Sequence, residues 1–448
     1  MTAPARPTVE RLWTVRRAPF LVAVLSLMTF IAFEAFAVTT VLPVAMADLD
    51  GVRWYSLAYA GTITAALVGM IIAGPRVDRH GPRRLLVVGG TLFVLGVALS
   101  TLAPDAPTFI LGRLIQGLGG GMDSVVLYVL IARHVPERLR ARMFGLLTVA
   151  WLLPSIVGPV AAGGLADLTS WRTVFGMVFV GATASLLGLL AVTGRDEQRP
   201  GASPRTGDRR IVATLAAAAA LVALHVGASL EVAWARVMIG VALLVLVISA
   251  SRVLPSGTLR LRGRPQRLIA LRALLGAAVT GTNVYLTLNL QTARGLSPTA
   301  AGVVIAIGAL GWALGAWFQG WYPTDRGAHV RLVRVAAVLV AVGPATVLAY
   351  ALELVPLAAV VVASIVMGTG MGMGSPRISS ATLELVNDDE HGRYSSALQS
   401  GESMAMSALL AVLASVLTVS STSALGFPVV YGLCLAAAVS AIAIARAA

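Results

Sequence analysis

Apolar residues fall along this chain in long blocks, broken by short polar connections. A block of about 20 apolar residues crosses a hydrocarbon layer as a helix, because lipid offers backbone amides and carbonyls no outside partner. Fourteen blocks qualify: 18–46, 54–74, 85–103, 107–133, 143–166, 171–193, 211–229, 232–251, 268–292, 297–319, 332–352, 355–376, 395–420 and 425–445. The pair within 211–251 gives the weakest signal, since 211–229 reads IVATLAAAAALVALHVGAS, alanine-rich and only marginally apolar. The first block follows a basic N-terminus, yet the apolar stretch from Ala18 to Leu49 is too long for a cleaved leader and predicts an uncleaved span. The pattern predicts an all-α polytopic membrane protein with about fourteen transmembrane helices.

The connections alternate. One set is rich in arginine: Met1–Arg17, Arg76–Arg84, Arg133–Arg142, Arg195–Arg210, Arg252–Arg267, Asp325–Arg334 and Pro376–Arg393. The other is nearly free of it: Asp48–Tyr55, Ala103–Ala106, Asp167–Trp171, Ser229–Glu231, Thr292–Thr299, Glu353–Pro356 and Ser420–Phe427. Arg53, Arg172 and Arg294 are the exceptions. Cytoplasmic loops accumulate basic residues, so the arginine-rich face is expected to be cytoplasmic. An even span count then leaves both termini inside a cell (inner) membrane. One error in the count would scramble the alternation.

Composition agrees and narrows the function. Of 448 residues, 57% are hydrophobic and only 12% charged. A soluble domain carries about 25% charged residues, so a soluble multidomain enzyme is excluded. The net charge of +14 resides in short clusters between apolar blocks, with no stripe or tail that would suit a nucleic acid. All of the basic residues are arginine. The single cysteine, Cys434, excludes an intrachain disulfide or a cysteine metal cage. No nucleophile–base pair, metal-ligand cluster or phosphate-binding Gly-x-x-x-x-Gly-Lys-Ser/Thr loop occurs, which disfavours catalysis, cofactors and ATP-driven transport.

Two connections look like copies of one loop. Gly74-Pro-Arg-Val-Asp78-Arg79-His-Gly81-Pro-Arg83-Arg84 follows the second block, and Gly320-Trp-Tyr-Pro-Thr-Asp325-Arg326-Gly327 follows the tenth. If 211–251 is an insertion, both loops follow the second helix of a six-helix half, the internal repetition that many carriers use. The expected organisation is a cytoplasmic N-terminus over 1–17, a first bundle over 18–193, and a linker over 194–210. An inserted helix pair over 211–251, a linker over 252–267 and a second bundle over 268–448 complete it.

With these motifs the sequence resembles the major facilitator superfamily, in particular its fourteen-helix drug:proton antiporter branch. The loop matches at Gly74, Asp78, Arg79 and Gly81 and departs at Arg76 and Pro82. The fourth-helix pattern matches at Arg113, Gln116, Gly117 and Gly119. The fifth-helix antiporter motif matches at Gly158, Pro159 and Gly163, with Pro154 and Ala162 in place of two glycines. Trp171-Arg172 and the run Gly368, Gly370, Gly372, Gly374 are also similar to that branch.

Intramembrane ionisable residues are functional candidates by default. Glu34 lies near the middle of the first block and Asp123 near the middle of the fourth. A carboxylate that holds either a proton or a cationic cargo gives exchange directly, and Glu34, placed where related antiporters often carry an acid, is preferred. For Arg113 the resemblance implies proton coupling; snorkelling to the interface is the alternative. The resemblance sets the Gly74–Arg84 loop against the helix beginning near Ser395, where Asp78 meets a helix N-terminus. Arg79, Arg83 or Arg84 then pairs with Asp388, Asp389 or Glu390, unless that acidic cluster is only a solvated loop.

Gly158-Pro159 is expected to kink the fifth span, with Gly163 and Gly164 allowing a tight seam, as a gate or as packing alone. Candidate pathway residues are Phe33, Phe36, Gln116, Tyr128, Trp151, Asn283, Tyr285, Asn289 and Trp312, against the alternative that the aromatics face lipid. Glu402 either adds charge to the pathway or marks a helix end, and His225 reads as interfacial. The expected function is proton-coupled export of lipophilic, cationic small molecules, by a monomer whose partners are the bilayer, protons and cargo. The rivals are an exporter of one endogenous metabolite or lipid, and a non-transporting membrane sensor, which has no need of buried acids.

Overall fold

A computed structural model describes residues 12–15, 17–193, 208–230, 232–322, 326–387, 390–419 and 425–447. Among these residues there is no strand. The described residues form fourteen α-helices: α1 Ala18–Asp48, α2 Tyr55–His80, α3 Pro82–Thr101, α4 Ala106–His134, α5 Glu137–Leu168, α6 Trp171–Val192, α7 Asp208–Ala228, α8 Ala233–Val253, α9 Arg264–Thr292, α10 Pro298–Trp321, α11 Arg326–Ala351, α12 Leu357–Leu383, α13 His391–Val419 and α14 Gly426–Ala447. All fourteen are long and apolar enough to cross a membrane.

Local chemistry marks the helix ends. Proline occupies the first turn of α1, α3, α4, α9 and α10, where an amide would lack a partner anyway. The Asp105 carboxylate accepts the Thr108 amide at 2.8 Å, and this hydrogen bond holds its pKa below the usual carboxylate value. Gly81, at φ 79°, makes the break between α2 and α3 that a side-chain-bearing residue would resist. By contrast α5 continues through Pro154 and Pro159 as one helix.

Helices α1–α6 and α9–α14 pack in matching ways. In the first half α4 packs on α2 and α3, and α1 on α5 and α6; in the second α12 packs on α10 and α11, and α9 on α13 and α14. Glycines repeat at the same contacts. Gly117 and Gly121 of α4 lie against the backbone of Thr62 and Ala66, while Gly368 and Gly372 of α12 lie against that of Gly308 and Trp312. Such close backbone approach leaves no room for a Cβ.

The halves meet through α5 with α10 and α2 with α13, and α7, which lies between the halves in sequence, packs on both α2 and α13. Hydrogen bonds join the halves at the arginine-poor end. Tyr55 donates to the Val284 carbonyl at 2.8 Å, Gln291 to that of Thr40 at 2.7 Å, and the Thr299 amide to Asp167 at 3.1 Å. The molecule is shut on its arginine-poor face.

Candidate functional site

Glu34 of α1 and Arg113 of α4 form an ion pair inside the first half, with side chains only 5% and 3% exposed. Arg113 also donates to the Gln116 side-chain oxygen at 2.9 Å and, from Nε, to the Ala58 carbonyl of α2 at 3.2 Å. Its guanidinium carbon lies 6.0 Å from the centre of the Phe175 ring of α6. One cation thus ties four helices to one carboxylate. Arg113 stands seven residues into α4, about 10 Å from its start. At that depth the pair has no water to replace a lost partner, and removing one member costs about 3–5 kcal/mol.

Asp123 occupies a different environment in the same lobe. It is fully buried, and neither carboxylate oxygen has a hydrogen-bond partner among the described residues. It faces α3, where a Cβ added to Gly89 would stand 2.6 Å from its Oδ1. The ten residues between Arg113 and Asp123 correspond to about 15 Å of helix rise. The two acids are therefore separate sites, one paired and one alone.

The second half carries its own pair. Arg272 of α9 donates to Glu402 of α13 at 2.8 Å and to Ser379 of α12 at 2.6 Å, with both charged side chains 17% exposed. Gly276 leaves the space that the Glu402 carboxylate fills. Glu402 stands out in the sequence, and Arg272, missed among the candidates, carried the same signal as an arginine inside the apolar block 268–292.

The pathway candidates divide. Phe33 and Phe36 border Gly158 of α5, Phe36 meets Trp151 edge-on at 6.0 Å, and the Trp151 indole donates to Met28 sulfur at 3.0 Å. Tyr128 and Trp312 are exposed, and Asn283 is half-buried. Tyr285 and Asn289 belong to the packed interior of the arginine-poor end. Tyr285 donates to the Leu410 carbonyl at 3.2 Å, and Asn289 to the Tyr431 hydroxyl at 3.1 Å.

The fifth-helix motif lines the seam: Pro159 lies against Gly302, Gly163 against Pro298 and Thr299, and Gly164 near Thr299. In the repeated loop, Gly74 has no close neighbour, and Arg79 and Arg84 are exposed. Arg83 donates to the Thr193 and Leu190 carbonyls at 3.1 and 3.3 Å, capping the C-terminus of α6. Glu390 pairs with Arg393 at 3.4 Å. Asp388, Asp389 and the side chain of Asp78 lie outside the described residues. His225, expected at the interface, is instead buried at 1% exposure, because α7 covers the α2–α13 seam.

Two matching helical halves, shut at one end around buried charge, define a membrane carrier. The sequence matches the model of the Major Facilitator Superfamily over residues 22–410, and the chain belongs to that family of transporters. It is 28% identical to a protein named "Probable multidrug-efflux transporter" from Mycobacterium tuberculosis over 384 residues, 80% of this chain and 78% of that one. It is 32% identical to the methylenomycin A resistance protein of Bacillus subtilis over 285 residues, 59% of each. In fold it is similar to the POT family transporter PepTSo, with a TM-score of 0.71 at 12% identity over 97% of this chain and 98% of that one. A D-xylose–proton symporter gives 0.66 at 13% over 95% and 94%.

Proposed function

We propose that this protein exports lipophilic, cationic small molecules across the cell membrane in exchange for protons, by alternating access between its two halves. The arginine-rich face lies in the cytoplasm with both termini, and the chain works as a monomer without a cofactor. The observation that carries the reading is the buried Glu34–Arg113 pair. Glu34 has three competing partners: Arg113, a proton and a cationic cargo. Protonation removes the negative charge and frees Arg113, which keeps its bonds to Gln116 and the Ala58 carbonyl. Deprotonation restores an anion that arginine or cargo can claim. A single carboxylate cannot serve proton and cargo together, and this exclusion couples their movements.

The drug-efflux and resistance names of the relatives support export of small molecules. The likeness to a resistance protein named for one compound favours a second reading, export of a single metabolite, which a cargo panel separates. The test is efflux from proteoliposomes driven by an imposed pH gradient. Wild type and Asp123→Asn are expected to extrude a lipophilic cation, and Glu34→Gln to lose gradient-driven extrusion at least tenfold. Gradient-driven extrusion by Glu34→Gln at the wild-type rate would overturn the assignment.

A further inference from the structure

The inserted helix α7 reaches both halves through one imidazole. His225 Nδ1 lies 3.0 Å from the Ser56 hydroxyl of α2, and Nε2 lies 3.2 Å from the Ser407 hydroxyl of α13. Ser407 is in turn 3.0 Å from the Thr64 hydroxyl of α2, and Ser56 donates to the Leu410 carbonyl of α13 at 2.9 Å. The ring is 1% exposed, and both serines are buried.

Counting hydrogens gives the chain a direction. Ser56 has one hydrogen and directs it to the Leu410 carbonyl, so its oxygen accepts from His225 Nδ1. In a neutral ring Nε2 then accepts from Ser407, whose oxygen accepts from Thr64. The path runs from α2 to α13, through α7, back to α2 and again to α13, with every polar atom satisfied. Buried polar groups are kept in such bonds, so α2 and α13 cannot separate here without orphaning a ring nitrogen or a hydroxyl.

We infer that the inserted helix pair is a clamp on the arginine-poor closure, with His225 as the positioning residue that holds α2 and α13 together until that face opens. This rests on the alternating-access reading above. Nothing in the position of His225 requires contact with cargo.

The test is the distance distribution between spin labels at Val52 and Val419, beside α2 and at the end of α13, in nanodiscs with Cys434→Ala. His225→Leu is expected to raise the ratio of long to short distances about tenfold, equivalent to about 1.4 kcal/mol. His225→Gln, which keeps a donor and an acceptor, should return it toward wild type. Ser407→Ala, which deletes one hydroxyl, should shift it the same way by a smaller factor, and carries the test if His225→Leu fails to fold. Unchanged distributions in the folded variants would overturn the clamp. The labels read separation without cargo or gradient. Efflux with no shift sinks the clamp alone, while a shift without efflux sinks the transport reading alone.

Discussion

Glu34–Arg113 and Glu402–Arg272 are the same chemical pair set in opposite halves. The first joins α1 to α4 with side chains 5% and 3% exposed; the second joins α13 to α9 with both at 17%. Ser379 shares the second pair, whereas Gln116 and a backbone carbonyl share the first. The difference lies in surroundings. Water can partly take over for a lost partner beside Arg272, and has no such access at Arg113. Loss of a partner therefore costs more at the first pair than at the second. Burial is why the proposed coupling is placed on the first pair.

The largest expected effect is that of Arg113→Leu, which leaves an unpaired buried carboxylate and should cost about 3–5 kcal/mol of stability. Glu34→Leu/Arg113→Leu should recover most of that loss, since paired apolar replacements are often neutral. Thermal melting of the purified variants measures both. A single variant no less stable than Arg272→Leu would erase the distinction between the halves.

Next comes Gly89→Ala, whose methyl would meet the Asp123 carboxylate and Met122. Overpacking of this kind costs about 1–3 kcal/mol, and Asp123→Ala in the same chain should relieve part of it. Melting temperatures of the single and double variants test whether Asp123 is held by shape alone. The smallest effect belongs to Arg272→Leu, about 1–2 kcal/mol, between the limits for exposed and buried pairs. A loss as large as that of Arg113→Leu would make the second pair an equal of the first.

The fourteen apolar blocks all became helices, because in lipid a long apolar run has no other way to satisfy its backbone. Their ends were less legible. The block 54–74 is part of a helix running to His80, 143–166 of one beginning at Glu137, and 355–376 of one ending at Leu383. Polar turns at the arginine-rich face continue the helix beyond the hydrocarbon, and hydropathy does not see them.

At the candidate site the charged residues were legible one at a time. A carboxylate or guanidinium inside an apolar block stands out on its own. Their pairing was not legible, because Glu34 and Arg113 are 79 residues apart and meet only through helix packing. The same packing turned Asp123 toward α3 and buried His225 between α2 and α13. Rotation about a helix axis decides such contacts, and apolarity on all sides of a span hides that rotation.

The most direct measurement is the affinity of the purified, detergent-solubilised protein for a lipophilic cation as the pH is lowered, because the proposal makes proton and cargo exclude one another at Glu34. The account predicts that wild type loses affinity as protons are added and that Glu34→Gln, still folded, binds with an affinity that does not change with pH. Affinity independent of pH in wild type, or falling equally in Glu34→Gln, would contradict it.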